Sequence, residues 1–281
     1  MKIAITGSTG LFGQGLVRVI GQRHTVFSVG HEEADITKFD EVRAAFGKLR
    51  PDVVIHAAAI PSPDVCEVDP ARAYLVNVHG TRHVAEAANE VGAAVAYISS
   101  DAVFDGEGKT PYAETDPTIS PTVYGRTKLR GEPVVAALPA YWIFRVCVLF
   151  GPGKVNFIEK GLRAMAAGQS YVVASDQMGN ALYTLDGAEK ILEVVESGRS
   201  GLYHLTNQGT CTRYELARCA AEKAGLDLSK LVGIPSDQMG RPAKRLKYAV
   251  LEMRALKEAG FSLPRPWQAA LDDYLRTLLP L

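Results

Sequence analysis

Short apolar runs punctuate this chain at intervals that suit parallel strands separated by helices. Lys2–Thr6, Thr25–Val29, Asp52–Ala59, Ala94–Ser100 and Trp142–Phe150 are rich in aliphatic and aromatic residues over their whole length, as strands buried on both faces are. Between them apolar residues recur at steps of three and four. Phe39, Val42, Phe46 and Leu49 form one helical stripe, with Thr37 a candidate cap ahead of it and Pro51 its stop. Pro70 to Gly92 reads as one long helix that opens on proline and closes at a glycine able to take the left-handed stop. This alternation predicts an α/β fold, a Rossmann-type doubly wound parallel sheet.

After Gly151-Pro152-Gly153 the rhythm loosens. Helices are expected near Asn156–Ala167, Asp186–Glu196 and Thr212–Ala224, with strands near Tyr171–Val173 and Leu202–Leu205. A turn-rich stretch runs from Pro235 to Pro242, and two closing helices end near Leu279. We expect a dinucleotide-binding domain over 1–151, rejoined by about 184–206, and a smaller C-terminal α/β substrate-binding region over 152–183 and 207–281. A cleft between two such regions is where ligands are favoured.

Composition narrows the partners. With 281 residues, 47% of them hydrophobic, the chain can bury a full core. The 31 bases and 31 acids cancel, so no global field favours nucleic acid or an anionic membrane. The local run Arg241, Lys244, Arg245 and Lys247 either holds a phosphate or is solvated surface. No apolar stretch reaches the roughly 20 residues a membrane span requires. A strand directly after Met1 leaves no secretory leader ahead of it, so the expected location is the cytoplasm. Cys66, Cys147, Cys211 and Cys219 lack paired spacing and are expected as free thiols, with no metal site.

Thr6-Gly7-Ser8-Thr9-Gly10-Leu11-Phe12-Gly13 follows the first strand and opens a helix whose Leu16, Val19 and Ile20 face inward. A pyrophosphate needs backbone N–H donors at a helix N-terminus, and glycine permits the turn, the close approach and the tight helix–strand contact. Gly7, Ser8, Thr9, Gly10, Leu11, Phe12 and Gly13 are therefore candidate cofactor contacts, with Ala57, Ala58 and Ala59 after the third strand and Ser99 at the end of the fourth. The second strand ends Ser28-Val29-Gly30-His31, with Glu32 and Glu33 slightly beyond the point where an acid would hold the ribose 2′-hydroxyl of NAD. That favours NADP(H), with NAD(H) the alternative. Asp35-Ile36 sits beside the adenine or forms the turn leading into the next helix.

Tyr124 and Lys128 stand four residues apart, on one face of a helix. Carbonyl reduction by hydride needs a proton for the developing alkoxide, and a neighbouring cation is expected to lower the tyrosine pKa. Ser100, at the tip of the fourth strand, is placed to hydrogen-bond the substrate oxygen. Ser100, Tyr124 and Lys128 are the candidate catalytic trio, the latter two also touching cofactor.

With these motifs the chain resembles the extended short-chain dehydrogenase/reductases, and within them the dTDP-4-dehydrorhamnose reductase branch. The resemblance runs through the glycine loop, Arg50 to Ala59, Ile98 to Gly106, Pro121 to Glu132, Asn156-Phe157, Asp176-Gln177 and Gly201 to Leu205. It implies reduction of a nucleoside-diphosphate keto-sugar by NAD(P)H, with Ser100, Ala102, Val148, Asn156, Asp176, Gln177 and Arg241 on the substrate side. Three positions depart from the branch: Val65 replaces a lysine, Ala102 a tyrosine and Val148 a tryptophan. These changes imply retained chemistry in a rebuilt sugar pocket. Other members of this fold suggest an NAD-dependent sugar epimerase, or a cofactor-binding regulatory subunit like methionine adenosyltransferase β. A homodimer is the expected assembly. Asn77 is either structural or active-site polar, and His56 is expected as a packed or cofactor-lining imidazole. The acids Asp101, Asp105, Glu107 and Glu114 are expected as a solvated loop.

Overall fold

The computed structural model describes residues 1–278; the expected helix end near Leu279 lies outside the described residues. β1 (Lys2–Thr6), α1 (Leu11–Ile20), β2 (Thr25–Val29), α2 (Phe39–Leu49) and β3 (Val53–His56) open the chain. α3 (Pro63–Val68), α4 (Pro70–Tyr74) and α5 (Gly80–Glu90) lead to β4 (Ala94–Ser100), then α6 (Val123–Ala136) and β5 (Tyr141–Val146). These strands and β10 (Gly201–Leu205) form one parallel sheet in the order β10-β5-β4-β3-β1-β2.

Alternate strand residues serve two helical layers, which is why the runs are apolar throughout. Ile3, Ile5 and Ile55 pack with Leu16, Val19 and Ile20 of α1, and with Ile191 and Leu192 of α8 (Thr184–Glu196). Ala4, Val54, Val95 and Tyr97 face Val42 and Phe46 of α2, Val84 and Ala88 of α5, and Val135 of α6. The sheet is doubly wound, as the alternation predicted. Because β3 follows β2 yet pairs with β1, the chain reverses direction there and opens a crevice at the strand tips.

Several boundaries differ from the sequence reading. The third strand ends at His56, and Ala57 to Ala59 turn aside after Ala57 N–H donates to the Thr6 carbonyl at 3.2 Å. The run Trp142–Phe150 breaks at Cys147: β5 stays in the sheet, while β6 (Val148–Phe150) leaves it to pair with β9 (Ala181–Tyr183). The expected helix from Pro70 to Gly92 is interrupted by a π-turn over Leu75–His79, where one extra residue per turn points Asn77 inward. Thr37 does not cap α2. Its hydroxyl donates to Asp35 instead, and Lys38 takes the cap position without a side-chain bond.

The remaining elements are α7 (Phe157–Ala166), β7 (Tyr171–Ala174), β8 (Met178–Gly179), β11 (Cys211–Thr212), α9 (Arg213–Lys223), β12 (Leu231–Ile234), β13 (Tyr248–Ala249), α10 (Arg254–Glu258) and α11 (Trp267–Leu278). β11-β8-β13 and β12-β7 are small sheets that periodicity alone did not reveal. A second core of Ile158, Leu162, Leu216, Ala220, Trp267 and Leu271 unites α7, α9 and α11. No helix among the described residues is long and apolar enough to cross a membrane.

Candidate active site

A cavity of about 750 Å³ runs from the tips of β1 and β3 to the small sheets. Its first wall is the glycine loop. Gly7 has φ 69°, and a Cβ there would lie 2.7 Å from the backbone of Ala58; one on Gly13 would lie 2.1 Å from the Gly7 carbonyl oxygen. Only glycine allows α1 to start this close to the sheet. No side chain occupies the N-cap position of α1, which falls at Gly10, so its free N–H donors open toward the cavity.

Ser100 ends β4, and Tyr124 and Lys128 occupy successive turns of α6. Thr122 caps that helix by accepting from the Gly125 N–H at 3.0 Å. Gly125 lets it descend onto the turn after β4, where a Cβ would lie 1.9 Å from the Ala102 carbonyl oxygen. The Ser100 and Tyr124 hydroxyls thereby stand side by side, and all three residues line the cavity. Ser100 Oγ donates to Asp101 Oδ1 at 2.9 Å and accepts from the Ala102 N–H at 3.1 Å.

The electrostatics differ from the sequence expectation. Burial holds the Tyr124 phenol above its usual value, with the neighbouring Ser100 hydroxyl drawing it partly back. Burial also draws the Lys128 ammonium down to about 7. The expected depression of Tyr124 by Lys128 is therefore not met: the ammonium lies 4.1 Å from the centroid of the Tyr97 ring, and desolvation dominates both groups. Burial raises Asp101 to about 6, against the Ser100 hydrogen bond and the charge of Arg213.

Of the expected cofactor contacts, Gly7, Gly10, Leu11, Phe12, Gly13, Ile36, Ala57, Ala58, Ala59 and Ser99 line the cavity. Ser8 and Thr9 line an adjoining groove with Arg18 and Glu33. Asp35 lines neither; its carboxylate accepts from the Thr37 N–H and hydroxyl, so it makes the turn leading into α2. His56 is buried between the Thr6 and Thr81 hydroxyls and pulled down to about 3 by burial, a packed neutral imidazole. Asn77 clamps both backbone groups of Ile60 and donates to Thr127, fixing α6 against the loop after β3.

On the substrate side, Ala102, Val148, Gln177 and Arg241 line the cavity, but Asn156 and Asp176 do not. Asn156 caps α7 and bonds Tyr274, while Asp176 accepts from the N–H and hydroxyl of Ser236. Both polar groups are consumed by structure. Val65 is exposed on α3, so only two of the three departures, Ala102 and Val148, lie on the wall.

Sequence reasoning missed Arg213. It begins α9, lines the cavity over the Phe157 ring, and has no carboxylate within salt-bridge distance among the described residues. Burial lowers its pKa, which marks a cation short of solvent and of a partner. Arg241 and Arg245 lie nearby, Arg245 being held at 2.5 Å by Asp64. The capping box of Thr212 and Glu215 was the available signal, since it sets the first residue of α9 at the strand-to-helix junction.

The model of the family described as the RmlD substrate binding domain matches residues 1–279. This chain belongs to that family. The RmlD-family chain is 35% identical over 277 residues to the spore coat polysaccharide biosynthesis protein SpsK of Bacillus subtilis, covering 98% of this chain and 97% of that protein. It is 36% identical over 277 residues to a dTDP-4-dehydrorhamnose reductase of Streptomyces griseus, covering 96% and 91%. Among solved structures, a dTDP-4-dehydrorhamnose reductase from Bacillus anthracis in complex with NADP superposes with a TM-score of 0.94 at 28% identity, covering 98% and 99%.

Proposed function

We propose that this RmlD-family chain is an NAD(P)H-dependent reductase of a keto-sugar carried on a nucleoside diphosphate. The observation that carries the reading is the cavity itself, which joins a glycine loop, a Ser–Tyr–Lys wall and an unpaired arginine in one space. The relatives named as dTDP-4-dehydrorhamnose reductases support the substrate class. In the division of labour we propose, 1–151 with 184–206 holds the dinucleotide, and 152–183 with 207–278 holds the sugar nucleotide. The cytoplasm, where reduced dinucleotide is available, is the proposed site of action.

The glycine loop fits a dinucleotide pyrophosphate, since Cβ atoms on Gly7 and Gly13 would collide with the backbone of Ala58 and Gly7 and push the N-terminus of α1, with its free N–H donors, away from the strand tips. A bound NADPH or NADH supplies the hydride. Ser100 turns its hydroxyl proton from Asp101 to the carbonyl oxygen, while the Ala102 N–H that donates to Ser100 Oγ keeps the serine in place. Tyr124 gives its proton to that oxygen; burial keeps the proton on the phenol beforehand, as reduction requires. The phenolate that remains is matched by the positive charge of Lys128 one turn along. Arg213, with Arg241, faces the diphosphate of the substrate.

The test is oxidation of NADPH and of NADH across a panel of nucleotide-linked 4-keto-sugars. At least one is reduced by the wild type. Tyr124→Phe abolishes that turnover while cofactor affinity stays within about threefold, since the glycine loop is untouched and only one hydroxyl contact is lost. Undiminished turnover in Tyr124→Phe sinks the assignment.

A further inference from the structure

Lys128 is only 3% exposed, and it pairs with no carboxylate within 4 Å among the described residues. A buried ammonium without a counter-ion tends to lose its proton, yet the proposed chemistry needs it charged. Each element packed against it presents something different. β3 offers His56, which is neutral, and α3 offers Cys66, whose thiol burial raises to about 11. On α6 itself, Glu132 lies one turn along and its charge favours the ammonium from a distance, but the carboxylate makes its contacts with Arg145 Nε at 2.9 Å, Arg145 Nη2 at 2.7 Å and Ser99 Oγ at 2.6 Å, not with Lys128. Tyr124 stays a protonated phenol, the π-turn contributes Asn77 bonded to Thr127, and β5 contributes the Arg145 already spent on Glu132. On the turn after β4, Asp101 is engaged by Ser100.

The group in direct contact with the ammonium is the ring of Tyr97. It projects from β4 on the side of α6, fully buried, with its face 4.1 Å from Lys128 Nζ. Its hydroxyl donates to the Lys128 carbonyl at 3.2 Å, and its ring stacks on His56 at 5.7 Å, so the face cannot turn away. Gly131 makes the contact possible, because a Cβ there would lie 2.4 Å from the Tyr97 hydroxyl.

We propose that Tyr97 is a positioning residue whose aromatic face holds the Lys128 ammonium, as a cation, in the cavity wall beside Tyr124. The proposal rests on the reading of Lys128 as part of the reductase trio. The quadrupole of a ring attracts a cation most when water is excluded, as it is here. The hydroxyl of Tyr97 serves the helix backbone, and the ring serves the charge. Those two roles separate by substitution.

Lysine labelled with ¹³C at Cε, with the Lys128 resonance assigned by its loss in Lys128→Met, reports the titration of the amine directly in the full chain. Tyr97→Phe keeps the ring and is expected to titrate close to wild type. Replacing Tyr97 by 4-fluoro- and then 3,4,5-trifluorophenylalanine keeps the shape and drains the face. The midpoint should fall stepwise, by about one pH unit in total. Tyr97→Leu should lower it further; if that variant does not fold, the fluorinated series decides alone. In reductase assays the alkaline limb of kcat should shift in the same order. A midpoint common to Phe and trifluorophenylalanine overturns the proposal, as does a moving midpoint with a fixed alkaline limb. Because the titration is read without turnover, a chain that reduces no sugar nucleotide would defeat the proposed function and leave the ring–ammonium contact standing.

Discussion

Replacing Gly125 by alanine tests how the active site is assembled. In isolation the change improves a helix by up to about 1 kcal/mol. Here the new methyl would stand 1.9 Å from the Ala102 carbonyl oxygen and 2.1 Å from Ser120 Oγ. Restoring ordinary contact requires α6 and the turn after β4 to separate by about 1.5 Å. Tyr124 rides on α6 and Ser100 caps that turn from the end of β4, so the displacement falls on their hydroxyl pair. A misplacement of about 1 Å at reacting groups costs on the order of 100-fold in rate. We therefore expect kcat/KM to fall about 100-fold or more. Overpacking of about 1–3 kcal/mol should also lower Tm by several degrees. Binding of 5′-ADP-ribose to the distant glycine loop, followed by calorimetry, should hold. A Gly125→Ala enzyme with kcat/KM within about threefold of wild type and an unchanged Tm would refute the reasoning.

Further outcomes follow from charge. Arg213→Gln removes a cavity cation that has no carboxylate within salt-bridge distance among the described residues, so KM for the sugar nucleotide should rise about 30-fold or more with Tm nearly unchanged; steady-state kinetics at low salt checks this, and an unaltered KM would remove Arg213 from the site. Stability should fall on acidification from pH 7 to 5. His56 and His204 fold as neutral rings with pKa about 3, so each takes up a proton on unfolding below about 6.5 and stability drops with pH. Asp101, raised to about 6, acts oppositely: its contribution is present at low pH and is lost as pH rises through 6. Two histidines against one aspartate leave a net loss of about 3 kcal/mol at pH 5, readable by urea denaturation; equal stability at the two pH values contradicts it.

Local spacing was enough to foresee that Ser100, Tyr124, Lys128 and the glycine loop border one cavity. Tyr124 and Lys128 share a helix face by arithmetic, and Gly7 to Gly13 fall between a strand and a helix whose apolar stripe is plain. Polar side chains were harder, because what they bond lies far away in sequence. Asn156 looked like a pocket residue until Tyr274 and the α7 N–H groups absorbed it, and Asp176 is absorbed by Ser236. Arg213 hid for the converse reason: a basic residue at a helix start reads as solvated, and its neighbour Asp101 comes from the end of another strand. The break at Cys147 carries no glycine or proline, so only the competing pairing of β6 with β9 reveals it. The π-turn was hidden because one extra residue barely disturbs an apolar stripe.

The route of β10 bears on how this polypeptide is made. Its residues Gly201 to Leu205 zip onto Trp142 to Val146 only after α7, β7 and β9 have been synthesised, and the Trp142 indole donates to Arg199 from that same late segment. A nascent chain halted before residue 201 would present β5 as a naked edge, open to pairing with another molecule. No single cut can therefore release the six-stranded sheet and its helices as a finished unit, and attempts to swap them between relatives must carry the returning strand along.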